Sequence, residues 1–225
     1  MNRSKKLIAL LLTVVFVATV SPAGAAQRVP SPFAGALPED QVAFEVIGQV
    51  KNSPSPGPGL PATSVQYGYL SYVAGLTDDQ TYVPGGPQNE TTAFFTFYNE
   101  SKTLRVTPHG RFNIIVREGT MTIYYNAAPS GDLTTPNPDS FRSGVPVQVS
   151  TWRHQVINEP TPSGLFFVTF MNSIQTSSFF NAGGRYMRIG RPGDMFRISL
   201  VGGPDPAGLV NGKFAGTAVG VKPED

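Results

Sequence analysis

The chain has no cysteine. That one absence excludes disulfides, thiolate metal sites, a cysteine nucleophile and the lipid-anchored cysteine of a bacterial lipoprotein signal. Histidine is almost absent as well. His109 and His154 are the only two, and neither has another His, Asp or Glu at a metal-ligand spacing, so no metal and no cofactor is expected. Charged residues make up 14% of the chain, 17 Lys and Arg against 15 Asp and Glu. Three of the cations, Arg3, Lys5 and Lys6, fall in the first six residues; the remainder carries a net −1. Arg185, Arg188, Arg191 and Arg197 are spread over thirteen residues with Asp194 among them, which is no footprint for a nucleic acid. No serine sits in a nucleophile elbow, and no glycine-rich loop precedes a helix as a phosphate site requires. Long helical stretches are scarce because 24 Gly and 21 Pro punctuate the chain.

Only one long apolar run exists. Leu7–Val20 follows the basic residues, Ser21-Pro22 ends it, and Ala23 and Ala25 supply small residues at the −3 and −1 positions of a cleavage site. This is the layout of a secretory signal peptide over residues 1–26, cleaved near Ala25-Ala26. Spanning a bilayer takes about 20 apolar residues. The expectation is an exported protein, periplasmic or extracellular, with no membrane span in its mature form. Residues 27–39, rich in Pro, Ala and Gly, read as a flexible lead. Residues 40–225 read as a single all-β domain.

Within that domain the hydrophobic period is two. Val42, Phe44, Val46 and Val50 alternate with Glu45, Gln49 and Lys51; Tyr67 and Tyr69 with Gln66 and Gly68; Phe112, Ile114 and Val116 with Asn113 and Arg117; Met121, Ile123 and Tyr125 with Thr120 and Thr122. Glu118-Gly119, Asn99-Glu100-Ser101 and Arg191-Pro192-Gly193-Asp194 read as hairpin turns. Short strands in up-and-down order predict an antiparallel β-barrel, with a two-sheet β-sandwich as the alternative. Such a meander with an apolar interior is similar in architecture to small lipocalin-like or cyclase-like barrels, an analogy of fold that leaves function open. The prolines and the polar outward positions argue against an outer-membrane barrel.

Three strands are apolar on both faces: Ala93–Tyr98 with Phe94, Phe95 and Phe97, Ile114–Val116, and Leu165–Met171 with Phe166, Phe167 and Phe170. One face must be covered by a partner subunit or another segment, and a homo-oligomer with Phe95 among its outward aromatics is expected. Candidate catalytic groups are few. On a strand, Trp152 and His154 share one face and Arg153 takes the other, so Trp152 and His154 either line a pocket or sit at a sheet rim. Glu45 faces solvent if Phe44 and Val46 face the core, and becomes an acid/base candidate if the interior is wet. Tyr67, Tyr69 and Tyr72 are either a ligand-binding stripe or plain core. Three functions compete: a domain binding a small apolar molecule or self-associating, a cyclase- or isomerase-like barrel enzyme acting on a small apolar substrate, and a carbohydrate-binding surface domain. The enzyme needs an ionisable group inside the cavity; the sugar binder needs coplanar exposed aromatics.

Overall fold

A computed structural model describes residues 37–135 and 137–221. The proposed signal peptide, most of the lead and the last four residues lie outside them. Eight antiparallel strands close into a barrel: β1 (Val42–Ser53), β2 (Thr63–Val73), β3 (Phe95–His109), β4 (Phe112–Tyr125), β5 (Val145–Asn158), β6 (Phe166–Ser177), β9 (Met195–Gly203) and β10 (Gly212–Val221). Each strand pairs with the next in the chain, and β1 pairs with β10 to complete the ring. Between β6 and β9 the chain inserts a small hairpin, β7 (Phe180–Ala182) and β8 (Arg185–Met187). The topology is an up-and-down barrel, and the two-sheet alternative falls away. Among the described residues helix is confined to one turn, α1 (Asp78–Thr81), and a short 3₁₀ segment, Pro138–Arg142. No helix among the described residues is long and apolar enough to cross a membrane.

Inward positions follow the period of two. Phe44, Val46 and Val50, then Phe95 and Phe97, Met121 and Ile123, Val168 and Phe170, and Phe196, Ile198 and Leu200 are all buried. Phe44 and Phe196 meet edge to face at 5.3 Å. Gly48 and Gly68 oppose each other across β1 and β2. A Cβ on Gly48 would meet Phe97 at 2.9 Å and Phe214 at 3.0 Å, so the missing side chain makes room for these rings at the barrel centre.

Several strand details differ from the expectations. Glu118-Gly119 and Asn99-Glu100-Ser101 are not turns; both lie within continuous strands and pair across β3 and β4, Glu100 with Thr120 and Ser101 with Gly119. The turn between these strands is at Gly110, whose φ of 58° suits glycine. Arg191–Asp194 does turn, with Asp194 N–H donating to Arg191 O at 3.0 Å, but it leads from the β7–β8 hairpin into β9 without pairing the two. Tyr67 and Tyr69 point out of the barrel, and Phe95 points in, fully buried. The outward Phe of the sixth strand is Phe167, 56% exposed.

The outer aromatics on one side are covered by the chain itself. Tyr67 packs on Phe141 at 5.3 Å, and Gln49 Nε2 donates to Leu133 O at 2.8 Å, so the loop between β4 and β5 lies over β1–β3. Tyr69 meets Tyr82 beside α1. The β7–β8 hairpin closes one end of the barrel. Phe180 stacks on Tyr125 at 5.3 Å and meets Phe95 at 5.7 Å, while Met187, Ile189 and Leu37 join the same core.

Candidate functional site

The other end stays open. There lies a cavity of about 280 Å³, with Pro160 and Gly164 of the loop after β5 and Pro204 and Asn211 of the loop after β9 in its lining. Its wall is apolar along the barrel: Val50, Val156, Val168, Phe170, Leu200 and Phe214. Polar groups ring it, and all but one are neutral amides: Asn52, Gln66, Asn158 and Asn211. The exception is Arg117.

Arg117 projects inward from β4. It is only 9% exposed. Its Nη1 donates to Ser64 Oγ at 2.6 Å and to Asn52 Oδ1 at 3.0 Å. Ser64 Oγ is in turn 2.7 Å from Ser101 Oγ. Asn52 is itself fixed, because its backbone N–H donates to Asn211 Oδ1 at 2.6 Å. Arg117 Nε is buried and has no partner among the described residues. No carboxylate among the described residues pairs with this guanidinium, and no Asp or Glu lines the cavity. Burial lowers its pKa, yet a guanidinium remains protonated in proteins.

Below Arg117 lies a buried polar layer. His154 is its register partner on β5. The imidazole stacks on Trp152 at 4.6 Å and meets the edge of Phe170 at 4.6 Å. Neither ring nitrogen of His154 has a hydrogen-bond partner among the described residues, nor does Trp152 Nε1. Desolvation, helped by the nearby Arg117 charge, pushes the His154 pKa down to about 3, so the ring is neutral near pH 7. Asn99 and Asn172 face the same interior. Asn99 Nδ2 donates to Gln66 Oε1 at 3.2 Å. Buried polar atoms are almost always paired, and unpaired ones need a physical reason.

The residues singled out in the sequence are distributed unevenly about this site. Trp152 and His154 are inside, on one face of β5, just beneath the cavity floor. Arg153 and Glu45 are exposed on the outer surface, as is Tyr72. Tyr67 and Tyr69 are buried under the outer loops, away from the cavity, and burial raises both phenol pKa values. Tyr67 O–H donates to Gln49 Oε1 at 3.1 Å.

Arg117 itself escaped the sequence reading. Alternation placed it opposite Ile114 and Val116, on the outer face; the structure turns Ile115 and Arg117 inward. The signal that could have found it is the shared phase of Ser64 and Gln66 on β2 with Asn99 and Ser101 on β3. Four polar residues in inward register mark a wet layer inside the barrel. No protein-family model matches the chain, no curated protein is significantly similar to it, and no solved structure matches it.

Proposed function

We propose that the chain is an exported binding protein that holds a small, largely apolar molecule in the cavity at the open end of the barrel. The observation that carries this is the asymmetry of the barrel: one end plugged by the β7–β8 hairpin, the other opening onto a cavity walled by Val156, Val168, Phe170, Leu200 and Phe214. Concave, mostly apolar sites with a few placed polar groups are the usual form of small-molecule sites. Export rests on the first 26 residues of the sequence alone.

Catalysis is the weaker reading of the same cavity. Proton transfer needs an acid or base on the wall. Among the described lining residues Arg117 is the one ionisable group, and it does not readily give up its proton. The carbohydrate reading is weaker again. The exposed Phe179 and Tyr186 stack on each other at 5.1 Å, and the Arg188 guanidinium lies 4.9 Å over Phe179, which does not make a coplanar platform.

Calorimetric titration with octan-1-ol tests the binding reading. The protein is expected to bind it, and Val156→Trp, which fills the cavity, to abolish binding while the far-ultraviolet spectrum stays that of a β-protein. No heat with the unaltered protein from either octan-1-ol or octanoate, or binding unaffected by Val156→Trp, overturns it.

Self-association is a second reading, favoured by a specific row on the outer surface. Ile157, Phe167, Val201, Ala215 and Ile47 are register partners across β5, β6, β9, β10 and β1, forming one apolar stripe. Phe167, Val201 and Ile157 are 56%, 48% and 41% exposed. A second copy of the chain fits this stripe. Light scattering at tens of micromolar is expected to show an oligomer that Phe167→Lys converts to a monomer; a monomeric unaltered protein overturns this reading.

A further inference from the structure

We infer that the cavity takes a small amphipathic carboxylate, its anionic end held by Arg117 and its apolar tail lying against Val156, Val168, Phe170, Leu200 and Phe214. This rests on the cavity being a binding site and adds the chemical class of the ligand.

The argument starts from charge. Arg117 is more than nine-tenths buried, lines the cavity and has no counter-anion among the described residues. Buried cations in proteins are paired as a rule. Its two hydrogen bonds both leave from Nη1 and end on neutral oxygens, Ser64 Oγ and Asn52 Oδ1. Nε donates to nothing among the described residues. The planar fork therefore keeps unused donors of the type that match a carboxylate.

The surroundings neither supply nor tolerate another solution from within. The other polar groups on the wall, Asn52, Gln66, Asn158 and Asn211, are uncharged. His154 beneath is neutral. Arg117 is held in place by Asn52 and Ser64, which are themselves fixed by Asn211 and Ser101, so the charge is pre-positioned. A neutral ligand of the same shape would leave the guanidinium uncompensated. A single guanidinium matches a singly charged group, and the apolar wall matches a hydrocarbon or aryl tail.

The test compares octanoate with octan-1-ol by calorimetry on the full chain, with Arg117→Met and Arg117→Lys alongside. In Arg117→Met, octanoate is expected to weaken by about tenfold or more while octan-1-ol is unchanged or tighter. Arg117→Lys, which keeps the charge but loses the planar fork, should bind octanoate with an affinity between those of the unaltered protein and Arg117→Met. Equal weakening of both ligands in Arg117→Met, or no effect on octanoate, overturns the inference. Should Arg117→Met not fold, methyl octanoate decides on the unaltered protein: it is expected to bind at least about tenfold weaker than octanoate, and equal or tighter binding overturns the inference. Binding of octan-1-ol without any preference for octanoate removes the anion site and leaves the cavity reading standing. No binding of either ligand removes both.

Discussion

Gly119 on β4 faces Trp152 on β5 as its register partner, and a Cβ added to Gly119 would lie 2.8 Å from Trp152 Cζ2. The same Cβ would run into the Glu100 carbonyl oxygen of the neighbouring strand. Glycine is present here because the indole fills the space a side chain would take. Gly119→Ala is therefore expected to destabilise the barrel by about 1–3 kcal/mol through overpacking. Urea unfolding followed by the emission of Trp152, the only tryptophan, measures it. A change under about 0.5 kcal/mol would mean that the indole moves aside freely.

His154 makes stability depend on pH. Its pKa is pushed down to about 3 in the folded protein against about 6.5 in an unfolded chain. The unfolded state thus binds the proton first. The stability contribution is fully present above about pH 6.5 and is lost as pH falls from there towards 3, at a rate of at most about 1.4 kcal/mol per pH unit. His154→Phe is expected to remove this slope. Denaturant midpoints of both proteins between pH 7 and pH 4 decide it: parallel pH curves would show that the imidazole is not excluded from charging.

Phe95 and Phe167 separate inside from outside. Phe95 is fully buried between Tyr125 and Phe180, and Phe95→Ala is expected to cost about 3–5 kcal/mol. Phe167→Lys, on the outer surface, is expected to change the stability of the single chain by less than about 0.5 kcal/mol. Chemical denaturation of the two variants at low concentration checks both, and the reverse ranking would invert the assigned face of the strands.

The hairpin plug is expected to act on stability and not on binding. Phe180→Ala removes the ring that stacks on Tyr125 and is expected to cost about 3 kcal/mol. The cavity lies at the opposite end, so octan-1-ol affinity should be unchanged. A joint loss would show that the plug and the cavity wall are coupled through the barrel core.

The period of two was legible in the sequence, and so was the barrel. Phe44, Val46 and Val50, Met121 and Ile123, and Trp152 and His154 all take the faces their spacing suggests. What could not be read is where polar residues and glycines belong inside. Asn99, Ser101 and Gly119 look like turn residues because turns are where such residues usually occur. Here they serve the interior, Gly119 for Trp152 and Asn99 and Ser101 for the polar layer. Cutting two long strands at these points shifted the phase of the first half of β4, and with it Arg117 went to the wrong face. Tyr67 and Tyr69 misled for the opposite reason. They are buried, as their size suggests, but Tyr67 lies beneath the loop that carries Phe141 and Tyr69 against Tyr82, packing between segments that local spacing does not contain.

The β1–β10 seam joins the two extremes of the described chain, and Asp40 N–H donates to Gly220 O beside it. Every other strand pair joins neighbours in sequence or nearly so; this one has the largest sequence separation of all. Without it the chain would be an open eight-strand sheet with two bare edges, each a template for pairing with another molecule. Contacts between distant segments form slowly because the intervening chain must first be ordered. The closing of one seam thus divides a sheet that can add strands indefinitely from a ring that cannot, and the time spent before closure sets how long the newly made chain is open to aggregation.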